Sequence, residues 1–207
     1  MYKVLYELFG ECTMLKVKHG TFGALWANNY LVTDTESGEC ALVDCSGEID
    51  EMLRFVGSGK LKYILLTHGH FDHACCTAEL CEKTGAMVVI GKGDAEMAYD
   101  TYKNLSHPFG FSWREYTPDR TVGEGDVIVL GNTEISVIST PGHTPGCVCY
   151  ITDDSIFTGD TIMVDGYGRT DFPGGNVQQL ISSLRRLEEI VCTKNMYPGH
   201  GDCALIG

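Results

Sequence analysis

The sequence predicts an α/β fold, and three observations carry that prediction. Short apolar runs rich in β-branched and aromatic residues recur along the chain, bounded by turn residues. One of them, residues 61–67, is followed by a helical pattern and a further apolar run, which together make a β-loop-α-β unit. Both halves of the chain share one plan, strands followed by a helix. With 207 residues, 43% of them hydrophobic, the chain can bury a sizeable core, and one compact domain over residues 1–207 is expected.

Taken in order, residues 3–18 and 29–34 read as strands, with a turn-rich segment over 20–28 whose aromatics would be exposed unless they cover something. Residues 39–44 make a third strand that ends at an acidic residue, and 49–56 have helical spacing. The run 61–67 suits a buried strand, and a helix is expected over 72–84, carrying Cys75 and Cys76 and stopping at Gly85. Residues 86–90 give the next strand. A helix and then an aromatic-rich loop, with Phe109, Phe111, Trp113 and Tyr116, are expected over 94–118. Strands follow at 127–130, 134–139, 147–152 and 155–158, then a helix at 177–191 and a last strand at 194–197.

Composition narrows the partners. A formal net charge of −13, with the Lys and Arg scattered, repels polyanions and acidic membrane surfaces, so a small-molecule substrate is expected and neither nucleic acid nor membrane. No run of 18 apolar residues occurs, and the first residues lack a basic segment followed by an apolar one, so a cytoplasmic location is expected. The ten cysteines then read as reduced, mostly buried thiols, since no C-x-x-C pair is present and the chain is long enough to need no disulfide framework.

The chemistry concentrates in Thr67 His68 Gly69 His70 Phe71 Asp72 His73. In extended backbone, residues two apart face the same way, so His68 and His70 can address one point while Asp72 and His73 begin the helix behind them. Imidazole and carboxylate ligands suit zinc and also iron or manganese. A lone His is ordinarily a satisfied core or surface residue, but here that reading would have to hold for four residues in one loop. Three further segments have the same form, a strand end presenting one side chain from a turn: Thr140 Pro141 Gly142 His143, Phe157 Thr158 Gly159 Asp160 and Tyr197 Pro198 Gly199 His200.

This series resembles the metallo-β-lactamase superfamily, whose pattern is H-x-H-x-D-H, a distant His, a Gly-Asp and a final His. The resemblance covers about residues 13–201. It implies a four-layered α/β/β/α sandwich with two divalent metal ions, zinc the expected one, at the edge of paired sheets. It also implies that His68, His70 and His143 hold the first ion, that Asp72, His73 and His200 hold the second, and that Asp160 bridges them. A hydroxide between the ions would be the nucleophile. Asp72 would orient it or take a proton, which makes Asp72 and Asp160 the catalytic carboxylates.

The segment Gly168 Arg169 Thr170 Asp171 Phe172 Pro173 Gly174 Gly175 is similar to that of the glyoxalase II-like group, which implies hydrolysis of S-acylglutathione thioesters. Two features depart from that group. Only seven residues follow His200, where the larger members carry a glutathione-binding helical region, and Asp44 is followed by Cys45 and Ser46 rather than Pro-Gly or Thr-Gly. Candidate substrate-facing residues are Arg169, Tyr167, Phe22 and Trp26; Arg169 can fork onto a substrate carboxylate or pair with Asp171, and the aromatics can line the cleft or pack locally. The related persulfide dioxygenases give a rival expectation, a single iron on His68, His143 and Asp160. A non-catalytic metal-binding module is a third. A β-lactamase is disfavoured by the absence of an export signal, and His19 and His107 match no ligand position.

Overall fold

The computed structural model describes residues 15–206. Residues 3–14 of the first expected strand therefore lie outside the described residues. A six-stranded mixed sheet contains, in spatial order, β1 (Leu15–Phe22), β2 (Ala27–Asp34), β3 (Glu39–Val43), β4 (Lys60–Leu66), β5 (Met87–Gly91) and β6 (Arg120–Val122). A five-stranded sheet runs β11 (Asn195–Pro198), β10 (Ser155–Gly159), β9 (Val148–Ile151), β8 (Thr133–Ser139) and β7 (Val127–Leu130). The helices are α1 (Ile49–Val56), α2 (Phe71–Ala74), α3 (Thr77–Thr84) and α4 (Val177–Val191), with a 3-10 helix over Lys92–Ala98.

Side-chain alternation explains the layering. Along β3, β4 and β5, Val43, Leu65 and Val89 face the second sheet, meeting Ile128, Val137, Tyr150 and Phe157 in the central core. Their neighbours Leu42, Ile64, Leu66, Val88 and Ile90 face the other way and pack with Met52 and Phe55 of α1 and Leu80 of α3. Strands buried on both faces read as continuous apolar runs, which is why residues 61–67 show no regular polar alternation. On the far side, Cys149, Ile156 and Met196 pack against Leu187 of α4. The result is the expected α/β/β/α sandwich.

Three local expectations are corrected. The segment over 20–28 is the tip of a hairpin: Phe22 pairs with Ala27, and only Gly23 to Trp26 turn. The helix over 72–84 is broken into α2 and α3, with Cys75 and Cys76 at the break. There the Cys45 N–H donates to the His73 carbonyl at 2.7 Å, and the Cys76 N–H donates to the Cys45 carbonyl at 3.1 Å, so loop backbone displaces helical hydrogen bonding. The helix expected from residue 94 is the 3-10 helix, which starts at Lys92 and is followed by turns and then by β6, a strand that the sequence pattern does not predict. Gly85 does close α3, in a left-handed conformation at φ 72°.

The two sheets are tied together at one end. The Val148 N–H donates to the Thr67 carbonyl at 2.9 Å, and the Tyr150 hydroxyl donates to the Leu66 carbonyl at 2.9 Å. At the same end the Asn176 N–H donates to the Gly142 carbonyl, and the Asn176 side chain caps α4 by accepting from the N–H groups of Gln178 and Gln179. Asn176→Ala is expected to lower the unfolding free energy by about 1 kcal/mol, and Asn176→Asp to leave it nearly unchanged, in urea denaturation.

Candidate metal centre

Every candidate ligand outside the α2 segment stands just beyond a strand end at this tied edge: His68 after β4, His143 after β8, Asp160 after β10 and His200 after β11. His70 immediately precedes α2, and Asp72 and His73 lie within it. Their side chains converge into three overlapping groups with ligand atoms within 4.8 Å of one another: His68, His70 and His143; His68, His73 and Asp160; Asp72, His73 and His200.

In the first group His70 Nδ1 lies 2.9 Å from His143 Nε2. In the last, His73 Nε2 is 3.1 Å from His200 Nε2 and 3.6 Å from Asp72 Oδ2, and His200 Nε2 is 3.3 Å from Asp72 Oδ2. Asp160 stands between the two, with Oδ1 3.4 Å from His73 Nε2 and Oδ2 3.7 Å from both His143 Nε2 and His200 Nε2. Ligand atoms about 2.0–2.1 Å from one tetrahedral ion lie about 3.3 Å apart, so each group has the dimensions of a metal site. His68 Nε2 and Asp160 Oδ1 are moreover buried without a hydrogen-bond partner. Unpaired buried polar atoms are costly, and a cation among His and carboxylate groups removes that cost. The donor set fits divalent metal.

Two anchors carry little signal in the sequence. Asp44, at the end of β3 with φ 58°, accepts from the Thr67 N–H at 2.8 Å and from its hydroxyl, and its Oδ2 lies 2.8 Å from His73 Nδ1. That contact leaves His73 Nε2 facing Asp72, Asp160 and His200. From sequence, Asp44 is recognisable as a strand-ending acid and as the counterpart of an Asp that relatives follow with Pro-Gly or Thr-Gly, and neither mark assigns it a role. Asp94, in the 3-10 helix, is fully buried and bonded to both histidine-bearing loops; an acid just after a strand is its one local mark. His143 is oriented differently, with Nδ1 2.7 Å from the Arg169 carbonyl. Gly199 is required by space, because a Cβ there would come within 2.2 Å of Asp160 Oδ1.

The substrate candidates divide. Tyr167 is largely exposed and lines a groove of about 260 Å³ together with Met163, Val164, Asp165, His200 and Asp202. The Arg169 guanidinium forks onto Asp171 at 2.7 and 2.6 Å and lies over the Phe172 ring, which matches the ion-pair alternative. Phe22 packs edge-on against Phe55 on the outer core. Trp26 sits at the hairpin turn, 75% exposed, and among the described residues no ring contact joins it to a ligand. The aromatic loop splits as well: Trp113 and Tyr116 pack into the outer core, while Phe109 and Phe111 flank Phe71, and Phe109 meets Phe172, whose ring lies 5.8 Å from that of His70. His19 bonds to Asn28 and stacks on Tyr30 and belongs to none of the ligand groups, although Asn28 in turn donates to the Pro198 and Gly201 carbonyls on either side of His200.

Electrostatics in the metal-free protein set two histidines against each other. Burial, helped by His143, pushes His70 from an ordinary 6.5 down to about 3. Burial also works against charge on His73, but Asp160, Asp72 and Asp44 outweigh it and raise the group to about 10. Asp72 is likewise penalised by burial, yet His73 and His200 hold its carboxyl well below the usual range. Below pH 6.5 the unfolded chain binds a proton that folded His70 refuses, so the metal-stripped protein is expected to lose stability between pH 6.5 and about 3. His73 has the opposite sign: its contribution is complete below pH 6.5 and is lost as pH rises through about 10. Thermal melts after chelation check both limbs. His70→Gln is expected to shallow the acid limb, and an unaltered limb would contradict the assignment.

Comparison with known proteins agrees with this geometry. The family model described as "Metallo-beta-lactamase superfamily" matches residues 24–200. The chain is 31% identical to the hydroxyacylglutathione hydrolase GloC of Haemophilus influenzae over 89% of its own length and 90% of that protein. Among solved structures it is similar to the BLEG-1 B3 metallo-β-lactamase, with a TM-score of 0.83 and 25% identity over 91% of this chain and 93% of that one. It is also similar to TTHA1623, crystallised in a di-iron-bound form, with a TM-score of 0.80 and 29% identity over 90% and 93%. With its fold, the order of its His and Asp turns and this match in accord, the chain belongs to the metallo-β-lactamase superfamily.

Proposed function

We propose that this protein is a metal-dependent hydrolase of small thioesters, of the S-acylglutathione type, and that His68, His70 and His143 hold one divalent ion and Asp72, His73 and His200 a second, with Asp160 shared. The observation that carries this reading is the convergence of all seven side chains into three overlapping ligand groups, with Asp160 lying between His143 on one side and His73 and His200 on the other. Ions bound there would supply an activated water at neutral pH and polarise a carbonyl oxygen, and zinc suits this donor set, as iron and manganese also do.

The chain's own residues account for the rest of the chemistry. Asp72, held ionised by its histidine neighbours, would orient the attacking water and accept its proton. Asp160 keeps the two groups in register. The leaving thiolate of a thioester needs little acid assistance, which fits a site with no further proton donor assigned. Tyr167, Met163 and Val164 form a wall beside His200, and Phe172 with Phe109 forms another beside His70, as apolar walls do in small-molecule sites. Similarity to a hydroxyacylglutathione hydrolase supports the thioester class. All cysteines among the described residues are free thiols, which supports a reducing compartment such as the cytoplasm. Among the same residues no helix is long and apolar enough to cross a membrane.

Metal-loaded protein is expected to hydrolyse S-acylglutathione thioesters, to lose that activity on chelation, and to lose about 100-fold or more in kcat with Asp72→Ala. Tyr167→Ala is expected to raise KM with a smaller change in kcat. An iron-loaded protein that consumes oxygen with glutathione persulfide and leaves thioesters intact would overturn the hydrolase reading in favour of an oxygenase.

A further inference from the structure

The seven candidate ligands do not by themselves explain why two separate loops, 67–70 and 140–146, hold their histidines in one register. Asp94 joins them. Its side chain is fully buried, and one carboxylate oxygen, Oδ2, accepts from the Gly69 N–H at 3.0 Å and from the Thr144 hydroxyl at 2.6 Å. The other, Oδ1, accepts from the Gly146 N–H at 2.7 Å. Gly69 lies between His68 and His70, and Thr144 directly follows His143, so all three donors belong to loops that carry the same ligand group.

The approach is built into the sequence. A Cβ at Gly146 would come within 2.2 Å of the Asp94 backbone nitrogen, and a Cβ at Gly91 within 1.9 Å of the Gly146 carbonyl oxygen. Glycine on both segments lets the 3-10 helix after β5 slide under the His143 loop until the carboxylate reaches its donors. Burial pushes the Asp94 carboxyl upward, and the hydrogen bonds from Thr144, Gly69 and Gly146 oppose that. Asp44, by contrast, contacts His73 directly and reaches the first loop only at Thr67, whose hydroxyl lies 3.2 Å from His68 Nδ1, and it touches neither His70 nor the His143 loop.

We infer that Asp94 is a positioning residue that sets the geometry, and thus the affinity, of the His68, His70 and His143 group selectively, without touching metal or substrate. The inference rests on the two-group reading proposed above. Substituting groups that orient metal ligands typically costs about 10–100-fold in metal affinity. An amide must turn its NH₂ toward at least one of three donors, so Asp94→Asn removes an acceptor without changing size.

The test is zinc titration against a competing chelator, in three backgrounds. In otherwise wild-type protein, Asp94→Asn is expected to weaken one of two zinc equivalents about 10–100-fold and spare the other. In His200→Ala, where the His68, His70 and His143 group remains, it is expected to weaken the remaining zinc. In His70→Ala, where the Asp72, His73 and His200 group remains, it is expected to leave binding unaltered. Thr144→Val, which removes one of the three donors, is expected to show the same selectivity with a smaller shift, and it decides the matter if Asp94→Asn does not fold. Equal weakening of both equivalents, or none, would overturn the role of Asp94 while leaving the metal centre standing. Wild-type protein that binds no zinc, iron or manganese would overturn both.

Discussion

The structure is organised around the cost of burying five imidazoles and two carboxylates in one place. His68, His70, His73 and His143 are almost wholly withdrawn from water, and Asp72 and Asp160 are mostly so. Such a cluster is unfavourable unless its polar atoms are paired or coordinated. Part of the pairing is internal: Asp44 takes one edge of His73, and the Arg169 carbonyl takes Nδ1 of His143. The atoms still unpaired, among them His68 Nε2 and Asp160 Oδ1, belong to the ligand groups themselves. Both sheets end at this arrangement and are bonded to each other there, Val148 to Thr67 and Tyr150 to Leu66.

Division of labour between two buried acids gives the centre its form. Asp44 continues from β3 and fixes the start of the first ligand loop and His73; Asp94 follows β5 and fixes that loop to the one bearing His143. Each satisfies backbone donors as well as side chains, so each locks loop shape, and loop shape locks ligand position. Carboxylates suit this task because they accept several hydrogen bonds at once and donate none.

Much of this is legible in the sequence because ligand chemistry is local. His68, His70, Asp72 and His73 sit within six residues, and His143, Asp160 and His200 each follow an apolar run and a Gly-containing turn. Strands β7 to β10 and helix α4 are legible through periodicity bounded by turns. What escapes depends on contacts distant in sequence. The break between α2 and α3 is made by Cys45, whose backbone N–H takes up the His73 carbonyl from too far back in the chain for any local pattern to register. The same holds for Asp94, whose partners Gly69, Thr144 and Gly146 are brought to it only by the packing of β5 against the His143 loop. The hairpin of β1 and β2 is longer than its sequence suggests, because Gly20 to Asn28 looks like turn chemistry while cross-strand pairing carries the strands through to Phe22 and Ala27.

The most direct test of the central claim is anomalous diffraction from crystals of protein grown with zinc. Two peaks about 3.5–4 Å apart are predicted, one among His68, His70 and His143 and one among Asp72, His73 and His200, with Asp160 between them. A single peak held by His68, His143 and Asp160, or none within the cluster, would contradict the account.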